Sequence, residues 1–191
     1  MRLLVDALKR AGIAAIATRE PGGAPGAEEI RRLLVEGDPD RWDALSEALL
    51  IAAARRNHLV RTIWPALEQG RWVVCDRFAD STMAYQGYGG NVPRGDLEAL
   101  HRVIAGDFAP DLSLILDVPV DVGLARAGAR AGHETRFERK SREFHERLRQ
   151  GFLEIARREP HRCVVIDASE SIEAIGGAVV DQVRARLGAA F

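Results

Sequence analysis

The chain has 191 residues, 47% of them hydrophobic, with 27 lysines and arginines against 28 aspartates and glutamates. This suits one domain with a substantial core and leaves no charge excess to draw nucleic acid or an anionic membrane surface. No apolar run approaches the roughly 18 residues of a membrane span, no secretory leader follows Met1, and Cys75 and Cys163 lack CxxC or Cys/His spacing, so a reduced cytoplasmic setting fits.

In chain order, Leu3, Leu4 and Leu8 form a helical stripe that stops at Gly12, a C-cap signal. The β-branched run at 13–17 is too short for a helix and reads as a buried strand, as do 72–75, 112–116 and 163–166. Helical patterns separate them. The first covers 27–35. A long one starts after Asp40 as N-cap, carries Leu45, Leu49, Leu59, Ile63 and Leu67 on one face and stops at Gly70. Others cover 95–104, 121–129, 141–158 and 171–187. Strands alternating with helices predict an α/β domain on a parallel sheet spanning 1–191. The charged, glycine-punctuated stretch 130–139 predicts a mobile loop between two helices. Doubly wound nucleotide-binding folds open with a strand, whereas this sequence opens inside a helix, so an element is expected in front.

Chemistry-bearing residues follow the strands, where such folds place ligands. After the first comes Thr18-Arg19-Glu20-Pro21-Gly22-Gly23. Pro21 removes a backbone donor and the glycines allow close approach to a ligand, although an ordinary Pro-Gly turn has the same composition. After the second comes Asp76-Arg77. An arginine there can grip a phosphate with two parallel hydrogen bonds while the aspartate orients it or holds metal-bound water. A surface ion pair is the plainer reading of the dipeptide. Its weight comes from Ser81, Thr82, Tyr85 and Gln86, whose polar groups can read a base edge, and from Gly87, Gly89 and Gly90. Arg55 and Arg56 follow three alanines that leave room for a planar ligand or for a close helix neighbour. Arg126, Arg130, Arg136 and Arg139 bracket the loop, as a solvated face or as a closing lid that neutralises a transferring phosphoryl group.

Together the motifs TREPGG (18–23), AARRNH (53–58), CDRFADST (75–82), AYQGYGG (84–90), PDLSLILDVP (110–119), RFERKSREFHERL (136–148) and VVIDAS (164–169) resemble bacterial thymidylate kinase. The resemblance implies a P-loop-kinase-like parallel sheet flanked by helices, phosphorylation of dTMP to dTDP with ATP as donor and Mg²⁺ as cofactor, a homodimer in contact through the helix carrying Leu45 to Leu67, and a lid at about 127–140. It places Glu20 and Arg31 on the sugar-phosphate side of dTMP and Arg77 on the 5′-phosphate. Asp76 would organise phosphate and, through water, magnesium. Arg55, Thr82 and Gln86 would meet the thymine edge, Tyr85 the deoxyribose, and Arg136, with Arg130 and Arg126, the transferring group and ATP.

Two departures stand out. Ile51 takes the place of the family's stacking phenylalanine, giving up an aromatic contact of about 0.5–1.5 kcal/mol. No GxxxxGK[ST] occurs, since Lys9 is followed by Arg10 and Lys140 follows Arg139, so the ATP phosphate cradle is absent. The expectation is a late start site or shortened chain lacking the family's first, central strand, unable to catalyse alone, with 72–75 and 112–116 left about 10 Å apart. Another deoxynucleotide or deoxynucleoside kinase, or a non-catalytic dTMP-binding fragment, are the alternatives.

Overall fold

The computed structural model describes residues 1–38, 40–129 and 136–188. Helix α1 (Arg2–Arg10) turns its leucine stripe inward, burying Leu4 and Leu8, and the chain leaves it through Gly12 at φ 75°. Strand β1 (Ala15–Arg19) follows, then α2 (Pro25–Val35), which has proline in its first turn, where a missing N–H costs nothing. Helix α3 (Ala44–His58) is capped by Asp43, whose carboxylate accepts from the Ser46 N–H at 2.8 Å. Asp40, expected as this cap, instead meets Lys140 at 3.2 Å. The long helix expected to Gly70 is broken by a π-helical turn at Leu59–Ile63 and resumes as α4 (Trp64–Glu68). Pro65 cannot donate to the carbonyl four residues back, so the α-helical ladder cannot run through it. The expected single apolar face is corrected with it. Leu59 and Ile63 are core, while Leu45, Leu49 and Leu67 are exposed.

Beyond β2 (Trp72–Asp76) come the short helix α5 (Ala79–Thr82) and a second π-helical stretch, Met83–Gly89. The remaining elements are α6 (Arg94–Ala105), β3 (Ser113–Asp117), α7 (Val120–Gly128), α8 (Arg142–Arg158), β4 (Cys163–Asp167) and α9 (Ile172–Leu187). Each strand runs past its apolar run to end on a charged residue: Arg19, Asp76, Asp117 or Asp167. These four ends are where the backbone delivers polar groups to the carboxyl side of the fold.

The strands pair in parallel as β1 with β2, Ala15 opposite Trp72, and β3 with β4, Ser113 opposite Cys163. The strands form two two-stranded ladders, and among the described residues β2 and β3 share none. Side chains join them instead. Alternation along β2 sends Trp72 and Val74 to a layer with α1, α9 and Leu114 of β3, and Val73 to a layer with Leu59, Ile63 and Phe78. Ile115 of β3 faces the other way as well, into the cluster of Leu148, Ile155 and Cys163 that binds α8 to the 83–89 turn. Gly151 of α8 is required there, because a Cβ would fall 2.7 Å from the Tyr88 ring. Arg130 and the loop core at 130–135 lie outside the described residues.

Candidate functional site

The segment after β1 is fixed by its own side chains. The Glu20–Pro21 peptide is cis, and Gly22 and Gly23 have φ of 128° and 81°. A Cβ on Gly23 would collide with His58 and Thr18, so no other residue fits. Glu28 at the start of α2 accepts from the Gly23 N–H at 2.8 Å and from Arg19 at 3.0 Å, and the Gly23 N–H contact chiefly holds its carboxyl below the usual range. Arg31 donates to the Pro21 carbonyl at 2.7 Å, which puts it against the loop.

Beneath this loop lies a buried polar network. Glu20, 3% exposed, accepts from Arg55 Nε at 2.7 Å and from the His58 ring at 3.1 Å. Arg55, equally buried, also donates to Thr82 Oγ1 at 2.9 Å and stacks its guanidinium over Phe78. His58 bonds Thr18 through its other nitrogen at 2.7 Å. A buried ion pair survives only when its remaining donors and acceptors are also met. Here four elements meet them: β1, the loop after it, α3 and α5.

One turn away α3 meets the π-helical stretch Met83–Gly89 that continues from α5. Gln86, 1% exposed, donates to Glu47 at 2.9 Å, and Glu47 also accepts from Arg136 at 2.7 Å. Arg136 in turn donates to the carbonyls of Asp38 at 2.9 Å, Leu34 at 3.3 Å and Trp42 at 3.4 Å. Among the described residues it is the largest fully buried side chain. Sequence reading set Arg136 on a lid toward a transferring phosphoryl group; in this structure it is buried and joins the 136–140 segment to α3. Arg126 is likewise engaged, donating to the Ala168 and Ser169 carbonyls at 2.6 and 3.2 Å.

Asp76 and Arg77 are the contrast. Both are exposed, and among the described residues neither side chain makes a hydrogen bond or ion pair. Arg77 has φ 75°, rare for a residue with a Cβ and a mark of functional strain, and its guanidinium lies 5.3 Å over the Tyr85 ring. Tyr85 is held edge-on by Phe137, Phe144 and Phe152. Arg77 is thus aimed by its backbone and ring support while its fork stays open. A cleft of about 320 Å³ reaches Arg55, Thr82 and Met83, and a hollow of about 670 Å³ lies along β1 beside Gly23 and Glu28. No group of three or more metal-ligand residues occurs among the described residues. The unengaged Asp76 carboxylate suits Mg²⁺, which is held through few carboxylates and keeps its water.

Of the residues expected, Glu20, Arg31, Arg55, Thr82, Tyr85, Gln86, Asp76 and Arg77 gather at the ends of β1 and β2, and half-buried Ile51 stands midway between Glu47 and Arg55 on α3. Sequence reading missed Glu47 and His58. Their signal was a carboxylate and an imidazole spaced four or three residues from Ile51 and Arg55 along an alanine-rich helix.

The thymidylate kinase family model matches residues 1–179. The chain is 57% identical to thymidylate kinase of Caulobacter vibrioides over 188 residues, covering 98% of this chain and 90% of that protein. It is 52% identical to that of Bradyrhizobium sp. (strain ORS 278), covering 98% and 84%. The crystal structure of thymidylate kinase from Ehrlichia chaffeensis superposes with a TM-score of 0.75 at 35% identity, covering 96% and 88%. These matches run nearly the whole length of the chain and lend no support to the expectation of an inactive remnant. On the family match and these identities, the chain belongs to the thymidylate kinase family.

Proposed function

We propose that the chain binds dTMP at the carboxyl ends of β1 and β2 and phosphorylates it to dTDP with ATP as donor. The observation that carries this reading is the open Asp76-Arg77 pair beside the closed Glu20–Arg55–Thr82 network. Arg77 is the free fork for the 5′-phosphate. Thr82, Arg55 and Gln86 line the helix faces where a base edge would lie, with Ile51 against its plane and Tyr85 toward the sugar. Glu20 acts through Arg55, since both its oxygens are taken within the protein, and Arg31 steadies the loop. Asp76 would hold magnesium through water, and the ion, when bound, would neutralise charge on the phosphates.

The 191 residues contain no GxxxxGK[ST], so none of them supplies a P-loop for the donor phosphates. That observation favours a second reading, a chain that binds dTMP without phosphorylating it. Exposed Leu45 and Leu49 on α3 suit the homodimer contact, which sedimentation would test. No described helix is long and apolar enough to cross a membrane. The deciding experiment is calorimetry with dTMP, then a phosphorylation assay with ATP and Mg²⁺. Tight dTMP binding that Arg77→Ala weakens at least about tenfold, with the melting temperature unchanged, is the expected result. A folded chain indifferent to dTMP would defeat the proposal, and binding without turnover would select the second reading.

A further inference from the structure

Glu47, Ile51 and Arg55 are spaced four apart on α3, and Thr82 and Gln86 are spaced four apart across from them, so two polar rungs join the same pair of faces. In the first, Arg55 donates to Thr82 at 2.9 Å. In the second, Gln86 Nε2 donates to Glu47 Oε2 at 2.9 Å while Glu47 Oε1 accepts from Arg136 at 2.7 Å. A carboxylate held by a guanidinium offers only acceptors, so only the nitrogen of the Gln86 amide can face it. The amide oxygen must then point away. Gln86 Oε1 is buried and has no hydrogen-bond partner among the described residues, although Gln86 is 1% exposed. Buried amide oxygens are nearly always satisfied, and an orphan inside a candidate binding site calls for a partner that arrives with the ligand.

We propose that Glu47, braced by Arg136, is a positioning residue that fixes the Gln86 amide so that its oxygen accepts the N3–H of a keto pyrimidine. This rests on reading Gln86 as a base-edge residue of a dTMP site. Thymine and uracil carry a hydrogen on N3, whereas cytosine presents a lone pair there. A locked oxygen therefore welcomes the first two and repels the third, and selection against cytosine comes from a residue that never touches the base. A freely rotating amide could satisfy either.

The test is calorimetric titration of the unmodified chain and of Glu47→Gln, Glu47→Asp and Gln86→Leu with dTMP, dUMP and dCMP. A neutral amide at 47 can donate or accept, so Gln86 is free to turn over. Glu47→Gln is expected to weaken dTMP and dUMP together by about tenfold, to leave dCMP unchanged or tighter, and so to collapse the preference. Glu47→Asp, which keeps the charge, should restore part of it. Gln86→Leu should also erase the preference. If Gln86→Leu leaves the preference intact, the base-edge reading fails and this proposal with it. If Gln86→Leu erases it while Glu47→Gln preserves it, or weakens all three nucleotides equally, the positioning role is overturned and the base-edge reading stands. Should Glu47→Gln not fold, glutamine-labelled unmodified protein decides by NMR, because the chain has only Gln69, Gln86, Gln150 and Gln182. On adding dTMP the Gln86 carboxamide carbon should shift while its NH₂ protons stay slowly exchanging. Loss of that protection without a carbon shift would overturn the proposal.

Discussion

Removing the Arg55 guanidinium would strip Glu20 of its closest partner at a position only 3% exposed. Breaking a buried pair from one side leaves an uncompensated charge, at a cost of about 3–5 kcal/mol. Arg55→Met should therefore shift the urea midpoint far more than Arg56→Met, whose head group donates to the Ile104 carbonyl at the surface. Equal shifts would show that the network is not the anchor described. Asp80 gives a pH test. Burial alone would raise its carboxyl, but hydrogen bonds and charge from Arg162, with the Ser113 hydroxyl, outweigh this and hold it below the ordinary carboxylate range. A lowered folded value means this stabilisation is complete above the unfolded pKa of about 3.9 and is lost as pH falls through the folded one. Asp80→Asn should thus flatten the loss of unfolding free energy below about pH 4, and an unchanged acid slope would count against it. Arg77, Thr82 and Gln86 could be picked out as candidates because they follow a strand in the sequence. The Asp80–Arg162 pair was not, since its members are 82 residues apart and neither sits in a local pattern.

At the scale of elements, periodicity located every strand and most helices, and it erred where a polar residue or a proline decided the boundary. Apolar counting stopped each strand short, because Arg19, Asp76, Asp117 and Asp167 hold their places by backbone pairing and not by hydrophobicity. The same counting ran one helix through Pro65 and made a single face of leucines that the π-helical turn splits between core and solvent. The N-cap of α3 is a sharp case, for Asp40 and Asp43 are equally good caps by type. Only Asp43 reaches Ser46, through both its N–H and its hydroxyl, and those contacts lower its carboxyl. Asp43→Ala should lower the melting temperature, whereas Asp40→Ala should leave it almost unmoved. The reverse order would return the cap to Asp40.

Taken whole, the molecule is held together across its middle by side chains. Leu4, Leu8 and Val183 pack against residues of both ladders, while β2 and β3 exchange no backbone hydrogen bonds among the described residues. The α/β class was legible from strand order and family resemblance, but the clamp of Arg136 on Glu47 was not, because it unites segments with no shared pattern. Two separate ladders have a consequence for the protein as a material. A single four-stranded sheet ends in two open edges, whereas two pairs end in four, and each edge is a template on which another chain can add a strand. Leu116 and Val165 lie 51% and 43% exposed on the second ladder, so an apolar lure accompanies the free backbone. Concentrated solutions should scatter light increasingly on standing, and Leu116→Lys or Val165→Lys should slow that growth by placing a charge where strands would stack. Handling losses, seeding by preformed particles and a ceiling on useful concentration would then all trace to the same unclosed backbone.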